Sequence, residues 1–147
     1  MRRKAGLGVV AVIFVARSKT LAEWGGEVGL GKNLYRIGVT EGSGREAVKA
    51  LNDQGSGGVT DWTLVAEEAA PGVEEASAIE RIAKKEKRLD PAYYPRIKGT
   101  PGIFKVKPEN VENYLLVKQA LANEKLRTAK LKPADFGVYL LHLALKQ

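Results

Sequence analysis

The chain has no cysteine and a single histidine, His142, in 147 residues. The first absence excludes disulfides, thiolate nucleophiles and cysteine-ligated zinc. The second excludes a multi-histidine metal site. Any metal bound here would be a hard ion held by carboxylates and water. Long apolar runs are also lacking: residues 7–16 form one behind Arg2, Arg3 and Lys4, but it is too short to cross a bilayer. That arrangement imitates an export signal, yet the following IFVARSKT offers only a poor cleavage site. Val9, Val10, Val12, Ile13, Phe14 and Val15 are β-branched or aromatic, so a buried strand explains the run better. A cytoplasmic protein with no membrane partner is expected. Internal repeats and low-complexity tracts are absent from the sequence.

What is present is an ordinary globular composition, 44% apolar and 28% charged, long enough for one domain with a hydrophobic core. The formal charge of +7 is unevenly spread. Residues 1–19 carry five basic side chains and no acid, and residues 76–107 carry nine basic and three acidic ones. Such an excess favours a polyanionic partner, because neutralising phosphates releases counterions. A basic, solvated surface without a specific ligand would have the same composition.

Residue patterns predict strands over 9–16, 33–40, 60–67 and 103–106. A glycine-rich loop is expected over 20–32 and another over 53–58. Residues 45–52 have helical composition. Pro71 is expected to open a helix, with Val73, Ala76, Ile79, Ile82 and Ala83 as its apolar stripe and Asp90-Pro91 as its end. Two more helices are expected over 108–128 and 133–146. The order β–β–α–β–α–β–α–α predicts an α+β fold, with a small mixed or antiparallel sheet of three to four strands flanked by helices. Residues 1–107 would form the core and 108–147 a C-terminal helical pair packed on it.

The stretch GEVGLGKN at 26–33 is within one letter of a phosphate-binding loop, with Gly26, Gly31 and Lys32 in place and Asn33 where Ser or Thr is required. That mechanism needs a helix after the loop, so that backbone amides point at the phosphates. Here LYRIGVT follows, a strand pattern, and the glycines are read as a flexible hairpin connection.

LYRIGVT after AVIFVARS resembles the GIY-YIG nuclease family. Val12-Ile13-Phe14 stands for its first triplet and Arg36-Ile37-Gly38 for its second. Tyr35-Arg36-Ile37-Gly38-Val39-Thr40 is similar to the Tyr-Lys-Ile-Gly pattern of the phage-type branch. Leu51-Asn52, SAIERIAKK and IFKVKPENV match later passages of that branch in order, so the resemblance covers residues 9–115.

The resemblance implies a metal-dependent DNA endonuclease. Glu80 would ligate Mg2+ or Mn2+, Arg45 would stabilise charge on the scissile phosphate, and Tyr35, with Arg36 beside it, would stand near the attacking water. The chain also departs from the family. Phe14 lacks the first-triplet hydroxyl, Arg36 replaces the second-triplet tyrosine, and Glu46 occupies the expected arginine position with Arg45 one short. Neighbouring strand residues face opposite ways, so Tyr35 replaces the missing phenol only if a bulge re-aims it. Plainer readings also fit: Glu80 could pair with Lys84 on a helix surface, Arg45 could be solvated, and His142 could sit at a helix packing boundary.

Basic residues with aromatics between them fill 81–107, and Lys84, Lys85, Arg88, Arg96 and Lys98 are the expected nucleic-acid contacts. Three functions remain open: a nuclease, a catalytically degenerate nucleic-acid-binding domain, and an interaction module or homodimer built on the leucine-rich C-terminal helices.

Overall fold

The computed structural model describes residues 11–125 and 130–145. Val9 and Val10 of the expected first strand, positions 126–128 of the helix expected over 108–128, and Lys146 lie outside the described residues.

The fold is α+β, built on one antiparallel sheet. Strands β1 (Val12–Ser18), β2 (Leu34–Thr40), β3 (Trp62–Ala69), β4 (Lys87–Arg88) and β5 (Ile103–Lys105) lie in the order β3-β1-β2-β5-β4. The sheet therefore has five strands where three to four were expected. The extra one is β4, two residues long and too short to leave a periodic signature. It forms because Lys87 and Arg88 pair with Lys105 and Phe104, and because buried Leu89 donates its N–H to Ile103 O at 2.9 Å.

Strand alternation sorts the core into two layers. Ile13 and Val15 of β1, Tyr35 and Ile37 of β2, and Phe104 of β5 share one face. Helices α3 (Glu75–Ala83) and α5 (Pro133–Leu145) cover it, with α4 (Pro108–Leu121) packed on α5. Phe14, Ala16, Leu34 and Ile103 share the other face, under α1 (Lys19–Glu27), α2 (Gly44–Gln54) and the segment that carries Leu89 and Ile97. Each such apolar side chain, fully buried, contributes roughly 1.5–3 kcal/mol. Gly137 lets α5 lie close on β3, because a Cβ there would meet Val65 Cγ1 at 2.8 Å.

Two expectations are corrected at helix starts. Residues 20–32 are not a loop throughout: α1 fills most of them, and β1 and β2 are joined by a helix and turn. Ser18 caps α1, its hydroxyl accepting from Leu21 N–H at 3.0 Å. Gly25 is inside the helix because a Cβ would strike Gly31 O at 2.4 Å, so this glycine serves packing and not flexibility. In the other case Pro71 does not open α3. It belongs to a turn with Gly72, and the helix begins at Glu75, whose carboxylate accepts Val39 N–H at 2.8 Å. Its buried residues are Ala78, Ile79 and Ile82, while Ala76 and Ala83 are exposed.

Candidate nucleic-acid interface

The expected phosphate contacts all reach solvent. Lys84 and Lys85 follow α3, Lys87 and Arg88 are β4, Arg96 is the middle residue of a short helical turn over Pro95–Ile97, and Lys98 follows it. Each of these six side chains is exposed. The β4–β5 ladder sets Lys87 opposite Lys105, and exposed Lys107 follows two residues later. Among the described residues the only ion pair is Lys49–Asp53, at 3.3 Å on α2, so the cations around β4 and β5 are not neutralised by carboxylates.

An aromatic group adjoins Arg96. Trp24 of α1 meets Tyr94 edge-on with ring centres 5.8 Å apart, and Tyr93 lies 6.1 Å from Tyr94. The Arg96 guanidinium sits 5.9 Å from the Trp24 ring centre and donates to Gly58 O at 3.3 Å. Tyr93 is 79% exposed. Sequence reasoning missed Trp24, since it falls in the segment read as a loop.

The residues expected to cut DNA are dispersed. Tyr35 is 2% exposed and stacks on Phe136 of α5, with ring centres 5.1 Å apart and planes 13° from parallel. Burial pushes its pKa up to about 12 against the counteracting Arg17 guanidinium, so the phenol stays protonated and inside the core. Arg36 projects from the opposite face of β2 and donates from Nη1 to Pro101 O at 2.8 Å. Desolvation lowers its pKa, with the Glu75 carboxylate opposing, and its buried Nε has no hydrogen-bond partner among the described residues. Arg45 is an exposed first-turn residue of α2, over the face away from Tyr35. Glu80 is exposed on α3, which covers the Tyr35 face.

No group of three or more histidine, aspartate or glutamate side chains able to hold an ion occurs among the described residues. Glu80 belongs to no such group, so an ion there would rest on this one carboxylate and water, as the resemblance implies; no hydrolytic step is derived through one.

Two other polar centres hold the fold. Buried Glu86 accepts from Lys107 N–H and the Asn110 amide, each at 2.8 Å, and from the Tyr139 hydroxyl at 2.5 Å. Asp61 accepts from the Ser18 hydroxyl at 2.5 Å and from both Thr20 donors, at 3.0 and 2.8 Å. His142 is exposed on α5 with its ring 4.8 Å from that of Tyr114. No helix among the described residues is long and apolar enough to cross a membrane. Comparison with family models, with curated proteins and with solved structures finds no match for this chain.

Proposed function

We propose that this chain is a nucleic-acid-binding domain, resembling the GIY-YIG nucleases in its motif order, that grips DNA without a complete hydrolytic set. One observation carries the reading: unneutralised cations are exposed between Lys84 and Lys107, and one of them, Arg96, sits against an aromatic group containing Trp24, Tyr93 and Tyr94. Lysines and arginines contact the phosphates, and bases stack on the exposed tyrosine. The aromatic contribution favours single-stranded segments, whose bases are free to stack.

The test is fluorescence anisotropy with single- and double-stranded oligonucleotides over a salt series. Binding should weaken linearly in log–log form, with a slope of about −0.7 for each single-strand phosphate contacted. Lys84→Ala, Lys85→Ala and Arg88→Ala should each weaken binding for every sequence alike. Undetectable binding at about 50 mM salt would sink the reading. In parallel, supercoiled plasmid is incubated with Mg2+ or Mn2+. Cleavage lost in Glu80→Ala would reinstate the metal-dependent nuclease, with Glu80 as ligand and Arg45 and Tyr35 as its partners.

A second reading is a homodimer through the C-terminal helices. It is favoured by Val117 and Leu121 of α4, which are 58% and 84% exposed. Light scattering of wild type and Leu121→Glu decides it: a dimer that persists in the variant, or no dimer at all, excludes α4 as the interface.

A further inference from the structure

The near-match to a phosphate loop lies in a different setting from the one its motif prescribes. Antiparallel pairing puts the start of β2 beside the end of β5: Leu34 is opposite Lys105, and Val106 N–H donates to Asn33 O at 3.0 Å. The glycine loop that precedes β2 is thereby held against the junction between β5 and α4. Between them lies a cleft of about 430 Å3, lined by Gly29, Gly31, Asn33, Lys105, Lys107 and Glu109, among others.

The walls of this cleft are built, not merely adjacent. Leu30 and Gly31 both donate their N–H groups to Gly25 O, at 2.8 and 3.1 Å, which folds the loop back onto α1. Gly29 and Gly31 have φ of +81° and +83°, and among the described residues nothing beyond their immediate chain neighbours lies within 4 Å of where their Cβ would be. A bound group therefore meets bare backbone on that side, and ammonium groups on the other. Lys105 and Lys107 line the cleft with one carboxylate, Glu109, and Lys87 stands across the ladder from Lys105, with no ion pair among the four. Like charges held this close repel unless an anion lies among them.

At the N-terminus of α4 the Lys107 N–H and the Asn110 side-chain amide are already taken by Glu86. The selectivity comes from the lysines, which act as point charges suited to a phosphate.

We infer that this cleft is a phosphate site that takes one phosphate group of the bound nucleic acid. The inference rests on the nucleic-acid reading above for the identity of the ligand, but not for its chemistry. Gly31 and its neighbours thus meet phosphate through tertiary packing against β5, without a following helix.

Inorganic phosphate is the probe, titrated into uniformly 15N-labelled protein, with chloride at equal ionic strength as the control. Saturable shifts at the Gly29, Gly31 and Lys107 amides are expected, and their loss in Lys105→Gln/Lys107→Gln. Folding of that variant is checked by circular dichroism, and Lys105→Gln alone serves if the pair unfolds. The same variants should lower oligonucleotide affinity on the order of tenfold and reduce the salt slope by about 0.7. Absent shifts, or shifts that chloride reproduces or the variants retain, overturn the site. Oligonucleotide binding that the variants leave unchanged overturns its role while sparing the nucleic-acid reading. Phosphate shifts without oligonucleotide binding do the opposite: the cleft stands, and its ligand is a smaller phosphate ester.

Discussion

Lys87 lies directly opposite Lys105 on neighbouring antiparallel strands, and neither is paired with a carboxylate among the described residues. The sheet edge thus holds two like charges in register, where an opposite pair would favour folding.

Stability and binding should therefore respond in opposite directions to Lys87→Glu. The variant should gain about 0.2–1 kcal/mol at low ionic strength, and the gain should shrink as salt screens the pair. Its oligonucleotide affinity should fall. Thermal melts at two salt concentrations, beside anisotropy, check both; a destabilised variant would mean the two ammonium groups are not in repulsion.

Phe14 and Gly38 are cross-strand partners, and a Cβ on Gly38 would sit 2.4 Å from the Phe14 ring. Gly38→Ala should cost about 1–3 kcal/mol by overpacking, and Phe14→Leu should recover part of that loss in the double variant. Denaturant melts of all four proteins give the coupling. Additive effects would show that the ring does not lie over the glycine.

Glu86→Ala would leave the buried Tyr139 hydroxyl without its acceptor, at about 1–3 kcal/mol, together with two part-buried donors. Tyr139→Phe should cost less, since two donors stay paired. The phenol also sets an alkaline limit. Burial first, then the Glu86 carboxylate, raises its pKa in the folded state above the ordinary 10.0. Its stabilisation is intact below that value and is lost as pH climbs through the folded one. Melts from pH 8 upward should show a shallower alkaline loss in Tyr139→Phe; an unchanged slope would remove Tyr139 from the account.

Asp61 sets the acid side. Desolvation pushes its pKa up, but hydrogen bonds from Ser18 and from both Thr20 donors outweigh that and hold it below the ordinary 3.8. Its contribution is present above 3.8 and is lost as pH falls through the folded value. Asp61→Asn should be less stable at neutral pH and lose less on acidification. If both proteins lose stability in parallel below pH 4, the carboxylate does not act as described.

Strand alternation and turn residues made the α+β class, strands β1, β2, β3 and β5 and helix α2 legible before the structure. So was the separation of Tyr35 from Arg36 onto opposite faces, which alternation requires. Helix α1 was not legible, because two glycines in KTLAEWGGE signal a loop, and only the position of Gly31 O explains Gly25. The capping hydroxyl of Ser18, three residues before Leu21, was the local sign that could have found it. Of the interface, the exposed lysines were legible from charge alone. The position of Trp24 against Arg96, and of the glycine loop against Lys105, depends on pairings across more than seventy residues, which no local pattern displays.

The carboxylate of Glu86 joins three stretches of chain: the end of α3, the first turn of α4, and the middle of α5. Unfastening α4 or α5 strands a buried acceptor, and losing α3 strands buried donors. Local opening of α4 or α5 thereby carries the cost of an unpaired buried carboxylate. Amide protons of α5 and of the central strands should then exchange on one timescale, and a protease that cuts between α4 and α5 should release no stable fragment.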